Sequence, residues 1–511
     1  MEKFSEKVYL SLKMPTEEAP LGDRERIEMA LQTLGYAHVE IPLSVLRKLY
    51  PMCRDAEFDI TVRLVHRQRD WVVTDAEPGD TRRHHYGLAV DYGSTTIVME
   101  LVDLNTGETV AEEKTVNGQT AYGTDILTRI TYSLEDPAHM DDLHRATVES
   151  FRNLLGRLTE NTGIRAAKCP IMILSGNTTM IHFLLKLNAW TVFASPYAPV
   201  TSDPGFLWGR ELGLDFEGLV YIVPAASNYV GGDIVSGLLK LDIHKKDEIG
   251  LFFDIGTNGE LVIGNKDWML AGAGAAGPAL EGYISRFGMR AAPGAVDSVK
   301  IQGRELTVTT IGGEKPLGIC GSGIIDLLAQ MRLAGWINIA GELETKATDR
   351  IVYLQEEKQY AVVYATAEES ASGQALFFAQ TDIMQYLDTK AAAYTMVECL
   401  LEAAGVTAEE LGHCYLSGAF AAHSDLEAAI TIGMFPDLPR QKFTVLTNTS
   451  LEGAKILLLD RARLADVRRL SRETYCVQFA SAADFLVRMQ AAKFVPHTDM
   501  RRYPSIRQRL S

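Results

Sequence analysis

The feature that most restricts how this chain can fold is a strand-turn-strand unit written twice. YGLAVDYGSTTIVMELVDLNTGETV (Tyr86–Val110) reads as an apolar strand ending in Asp91, a tight turn Gly93-Ser94-Thr95, an alternating second strand, an Asn-Thr-Gly turn and a third strand. GLFFDIGTNGELVIGNKDWMLAGAG (Gly250–Gly274) repeats that order, with Asp254 at the strand end and Gly256-Thr257-Asn258 in the turn.

Two further pairs follow in the same sequence. IMILSGNTTMIHFLLKL (Ile171–Leu187) and CYLSGAFAAHSDLEAAI (Cys414–Ile430) are each a short apolar strand, Leu-Ser-Gly and a helical stretch. YVGGDIVSGLLKL (Tyr229–Leu241) and GICGSGIIDLLAQM (Gly318–Met331) are Gly-opened apolar helices. Three unit types, each written twice, predict an α/β protein built of two similar halves.

The repeated turns have the chemistry of a nucleotide site. In a hairpin whose first strand ends D-x-G-[ST], glycine lets the turn approach a phosphate while successive N–H groups point at its oxygens, and the hydroxyl adds a donor. The strand-end Asp is placed to hold Mg²⁺, usually through water. Asp91 and Asp254 are therefore the candidate catalytic and metal-binding residues, and Gly93, Ser94, Thr95, Gly256, Thr257 and Asn258 the candidate ATP contacts. Two such turns facing each other would clamp a triphosphate from both sides. One copy alone reads as a plain hairpin turn, since Asp and Gly dominate turns generally; two copies in matching context favour nucleotide. Ser417, Gly418 and Ala419 are small enough to lie against ribose and adenine, although each Leu-Ser-Gly alone is only a strand-to-helix turn. The matching Ser175-Gly176-Asn177 is expected to pack the halves together, with Gly176 and Asn177 near the phosphates. AGAGAAGPALEG (Ala271–Gly282) is either close helix packing or a set of backbone donors to nucleotide.

Before Tyr86, Pro-punctuated charged segments and the β-like FDITVRLVHRQRDWVVTD predict a small α+β domain over residues 1–85. Half I is expected over 86–249, and half II with a C-terminal extension over 250–511. The balance of 50 Lys+Arg against 66 Asp+Glu, a net charge of -16, opposes broad contact with nucleic acid or anionic lipid. No apolar run approaches the roughly 18 residues of a membrane span, and the opening MEKFSEKVYLSLK is not a signal peptide, so a cytoplasmic protein is expected. The six cysteines (Cys53, Cys169, Cys320, Cys399, Cys414, Cys476) are scattered without a C-x-x-C pair, and no iron–sulfur cluster is expected in this chain.

These motifs, in this order, resemble the actin, sugar kinase and heat-shock ATPase superfamily, with phosphate turns at Asp91–Thr95 and Asp254–Asn258 and an adenosine motif around Ser417–Ala419. Within it NGQTAYGTDILTRI (Asn117–Ile130), VPAASNYVGGDIVSGLL, LGICGSGIIDLL and FVPH (Phe494–His497) resemble the reductive activators of corrinoid enzymes specifically, and FSEKVYLSL resembles that family's linker or middle region. The resemblance implies a duplicated actin-like (ribonuclease H-like) fold. It implies a Mg-ATP-dependent dimer that returns Co(II) of a corrinoid (cobalamin) protein to Co(I) in a methyltransferase system. Members that deliver the electron themselves carry an iron–sulfur domain; with no Cys-rich segment here, a separate iron–sulfur donor is implied. Two other readings stay open on the same fold. A small-molecule kinase would need a carboxylate base such as Asp233 or Asp326, otherwise helix caps or structural acceptors, and a scaffold would use nucleotide only as a switch.

Overall fold

The computed structural model describes residues 2–511 except 257, 276–283, 419–420, 422 and 480–483. The chain divides into two compact units, Met1–Asp242 with Thr449–Glu473, and Ile243–Asn448 with Thr474–Ser511.

The first unit opens with a four-stranded sheet of β1 (Ser5–Ser11), β2 (Val39–Glu40), β3 (Asp59–Arg67) and β4 (Asp70–Pro78), in the order β1-β3-β4-β2. Alternate residues of β3, namely Ile60, Val62 and Leu64, form a core with Ile27, Leu31, Val45 and Leu49 of the helices Asp23–Thr33 and Leu43–Asp55.

The larger sheet of this unit contains β5 (Tyr86–Tyr92), β6 (Thr96–Asp103), β7 (Thr109–Val116), β8 (Ile171–Gly176), β9 (Gly205–Trp208) and β10 (Leu219–Ile222), ordered β7-β6-β5-β8-β10-β9. The β5-β6-β7 meander is antiparallel, whereas β8 runs parallel to β5 and β10 parallel to β8. Every residue of β8 is buried, as expected of a central parallel strand covered on both faces. Helix Thr449–Leu459 packs on β5 and β8. Its assignment differs from the expectation that everything after Gly250 belongs to half II. It also packs on helix Gly232–Leu241, so closely at Gly453 that a Cβ there would lie 1.9 Å from the Ser236 carbonyl oxygen, a distance only glycine permits.

In the second unit, β11 (Gly250–Ile255), β12 (Asn258–Gly264) and β13 (Met269–Ala275) form the repeated meander. Two three-stranded sheets follow, β14 (Ala295–Gln302), β15 (Glu305–Thr310) and β16 (Gly318–Ile319), then β17 (Ile351–Leu354), β18 (Gln359–Ala365) and β19 (Leu376–Ala379). The main sheet is completed by β20 (His413–Ser417), β21 (Phe443–Val445) and β22 (Thr474–Cys476), in the order β21-β20-β11-β12-β13-β22. With β11 parallel to β20 and β20 parallel to β21, the run β13-β12-β11-β20-β21 has the order and sense of β7-β6-β5-β8-β10. The duplication read in the sequence is thus present in the strand topology.

Helix Gln380–Ala404 covers β12 and β13. Its Lys390 is fully buried, and the ammonium donates to the carbonyls of Phe494 (2.7 Å), Pro496 (2.6 Å) and Ala492. Three donors meeting three buried acceptors satisfy both sides, and the FVPH segment is tied down by them. Among the described residues, no helix is long and apolar enough to cross a membrane.

Candidate functional site

The first turn follows from β5 and β6 pairing in register until Tyr92 faces Ile97. Gly93 closes it by donating its N–H to the Thr96 carbonyl at 3.1 Å, and a Cβ there would stand 2.7 Å from that same oxygen. Glycine is therefore demanded by the hairpin itself. The three carbonyls of the turn are all bonded to one downstream segment. Asn117 donates from Nδ2 to Gly93 (2.9 Å) and from its backbone N–H to Thr95 (2.8 Å), and Arg129 donates from Nη1 to Ser94 (2.7 Å). In a trans peptide the N–H points opposite the C=O, so the N–H groups following these carbonyls are directed to the other side of the turn. That is the arrangement of an anion-binding concavity.

Asp91 lies beside Ser175 in the parallel β5–β8 ladder. Its Oδ1 accepts from Ser450 Oγ at 2.8 Å, and Ser450 Oγ is 2.9 Å from Ser175 Oγ, which also bonds Ser236 Oγ (2.9 Å) and the Gly232 carbonyl (3.0 Å). These bonds of Ser175 all stay within the first unit. Gly176 presses on the turn, since a Cβ there would be 2.9 Å from the Tyr92 carbonyl. Asn177 caps helix Thr178–Leu184 by accepting the Thr179 N–H at 3.0 Å. A Cβ on Gly231 would come within 2.8 Å of the Asn177 Cα, which brings Asp233, near the start of helix Gly232–Leu241, close to the same place. Burial first, and then the negative charge of Asp91, raise the Asp233 carboxyl to about 7.

The second turn is built differently. Gly256 donates to the Asn258 carbonyl at 2.9 Å, but among the described residues a Cβ on Gly256 would meet nothing nearer than that oxygen at 3.8 Å. Asp254 stands opposite Glu260 on β12 and beside Ser417 on β20. Gly418, at φ +96°, would carry a Cβ 2.2 Å from the Ile255 carbonyl and 2.9 Å from Asp254 Oδ1. Ser417 and Gly418 accordingly lie against the second turn as Ser175 and Gly176 lie against the first. Thr257 and Ala419, together with 276–282 of the small-residue run, lie outside the described residues.

Asp326, the other candidate base, accepts from Ser298 Oγ (2.7 Å) and the Val299 N–H (2.6 Å) and is a structural acceptor. Sequence reasoning missed Asn117 and Arg129, although the segment containing them was conspicuous, and Ser450. An Asn-x-Gln with an Arg in the helical stretch that follows was the available signal for the first two. Ser450 had none.

The duplicated sheet, with a Gly turn after the strand-end Asp in each copy, defines an actin-like ATPase fold. The chain belongs to the RACo family: residues 248–507 match its C-terminal ASKHA domain, 86–246 its middle region and 1–83 its linker region. It is 29% identical over 481 residues to the corrinoid activation enzyme RamQ of Eubacterium limosum, covering 89% of this chain and 81% of that protein. It is 25% identical over 419 residues to the [Co(II) methylated amine-specific corrinoid protein] reductase of Methanosarcina barkeri, covering 76% and 72%. A solved reductive activator for corrinoid, iron-sulfur protein superimposes with a TM-score of 0.89 at 33% identity, over 99% of this chain and 81% of that one.

Proposed function

We propose that this chain is an ATP-dependent activator that returns the Co(II) state of a corrinoid protein to Co(I) in a methyltransferase system. The observation that carries this reading is family membership along nearly the whole chain, joined to a strand-end Asp and Gly turn in each unit. The donor set suits Mg-ATP. The first turn directs N–H groups to one side over a buried guanidinium, and the open space at Gly256 leaves room for a close approach in the second.

In this reading Gly93, Ser94 and Thr95, with Gly256, Thr257 and Asn258, hold phosphate oxygens. Asp91 and Asp254 orient water on Mg²⁺ and the attacking water, Ser417, Gly418 and Ala419 adjoin the nucleoside, and Gly176 and Asn177 support the first turn. Bound Mg-ATP supplies the free energy that an uphill Co(II) to Co(I) step needs. Two nucleotide states must then bind the corrinoid protein differently, for instance with one favouring loss of a lower cobalt ligand. Electrons come from a separate iron–sulfur donor, and the working form is a cytoplasmic homodimer.

The test is Co(I) formation followed by absorbance with a purified corrinoid protein. ATP alone should give none, an added iron–sulfur donor should give it in an ATP-dependent way, and the anaerobically purified chain should hold no stoichiometric iron. Reduction that ignores ATP removes the role of the two turns, and stoichiometric iron removes the separate donor.

A further inference from the structure

We propose that Arg129 is the buried countercharge of the first phosphate turn, a positioning residue whose guanidinium both fixes the turn and offsets the negative charge of the polyphosphate bound on its far side. Arg129 belongs to helix Ile126–Glu135 and is wholly inaccessible to solvent. Its Nη1 donates to the Ser94 carbonyl at 2.7 Å and its Nε to the Gly123 carbonyl at 2.9 Å, while Nη2 is buried without a hydrogen-bond partner among the described residues.

Both acceptors are neutral. Among the described residues the one carboxylate acting on the guanidinium, Asp125, is engaged as the cap of the same helix, accepting from the Thr128 N–H (2.9 Å) and Oγ1 (2.7 Å). The other group felt is the phenol of Tyr92, which bonds Thr147 and Gln119 in the core. A buried cation without an ion-pair partner is costly, and a carbonyl at Ser94 could be held as well by a neutral amide. The charge itself therefore needs a reason. A polyanion on the N–H side of the turn supplies it, because the guanidinium is buried behind the part-exposed turn, and a charge pair with one member buried is screened less than a pair of surface charges. The Asn117 bonds at Gly93 and Thr95 complete the cradle, so the segment Asn117–Arg129 acts as a backing plate for phosphate.

This inference rests on the nucleotide reading above, and the experiment separates the two. Titration calorimetry is run with Mg-ATP, Mg-ADP and AMP on the full chain, Arg129→Gln and Arg129→Lys. Gln keeps a donor for the Ser94 carbonyl and loses the charge; Lys keeps the charge. Arg129→Gln should lose at least tenfold in ATP affinity, less for ADP and little for AMP, while Arg129→Lys retains most of the ATP over AMP preference. Equal losses for all three nucleotides, or none, overturn the countercharge. If Arg129→Gln gives no cooperative thermal transition, Arg129→Lys decides alone: a preserved ATP over AMP ratio supports the inference and a collapsed ratio overturns it. A wild-type chain that binds no ATP overturns both readings, whereas ATP binding indifferent to these substitutions overturns this one only.

Discussion

Arg129 reaches from a helix to the carbonyl of Ser94, 35 positions earlier, at 2.7 Å. With Asn117 on the two flanking carbonyls, the bond leaves the Gly93–Thr95 turn little freedom to rotate its peptide planes. The first turn is held from behind by side chains. The described part of the second closes through its own backbone, with Gly418 wedged against Ile255 and Asp254.

This difference separates the two turn glycines experimentally. Gly256→Val should weaken Mg-ATP binding by tenfold or more, about 1.4 kcal/mol, with an unchanged melting temperature, because among the described residues its Cβ meets no atom nearer than the Asn258 carbonyl oxygen at 3.8 Å. Gly93→Ala should instead destabilise the fold by roughly 1–3 kcal/mol, since its Cβ would stand 2.7 Å from the Thr96 carbonyl. Calorimetry beside thermal unfolding reads both, and wild-type affinity in Gly256→Val would show that no phosphate approaches that turn.

Asp254→Asn should leave folding intact and depress ATP hydrolysis far more than ATP affinity. The amide keeps the volume beside Ser417 but cannot hold a hydrated cation as a carboxylate does. Steady-state turnover and direct binding measured on one preparation check this, and wild-type turnover in a folded variant would remove Asp254 from the chemistry.

Asp233 gives a pH signature. Its carboxyl sits at about 7 in the folded chain against an ordinary value of 3.8, so the folded state holds a proton that the unfolded state has lost across that interval. Its contribution to stability is fully present below about pH 4 and is lost as pH rises through about 7, the reverse of a salt-bridged carboxylate. Asp233→Asn should flatten that stretch of the urea-midpoint profile and exceed wild type at about pH 8 by ~1 kcal/mol or more. A parallel offset at every pH would contradict the assignment. Asp91→Asn should return the Asp233 titration part of the way toward acid values.

Lys390→Met should cost about 3 kcal/mol or more, because it leaves three buried carbonyls without donors while changing little volume. Limited proteolysis should then cut first within the C-terminal segment around Phe494–His497. Wild-type protection there would mean that other contacts hold the segment.

What the sequence made legible was local and repeated. Asp91 with its turn, Asp254 with its turn and the two Leu-Ser-Gly strand ends each lie within a few positions of the glycine that defines them, and the alternation of apolar residues sets their strands. Asn117 and Arg129 were visible as a distinctive segment, but their task depends on which carbonyls a folded hairpin turns toward them. Gly418 was read as clearance for a nucleoside. Its positive φ and contact with Ile255 show a second requirement that composition does not reveal. The return of Thr449–Glu473 to the first unit carried no sign in charge or turn residues, because it depends on packing against β5, β8 and helix Gly232–Leu241, elements far earlier in the chain.

That return has a consequence for biosynthesis. Ser450, the donor to Asp91, stands 359 positions after it in the chain. A ribosome making this protein therefore emits the first unit's sheet, then the whole of Ile243–Asn448, before the helix that covers β5 and β8 emerges. Until then the strand bearing Asp91 has an uncovered apolar face, and Asp91 lacks the Ser450 hydroxyl. The Gly93–Thr95 turn can close early, since Asn117 and Arg129 precede the second unit, but the strand leading into it stays uncovered, and any abortive product ending before Thr449 exposes that face to chaperones and proteases.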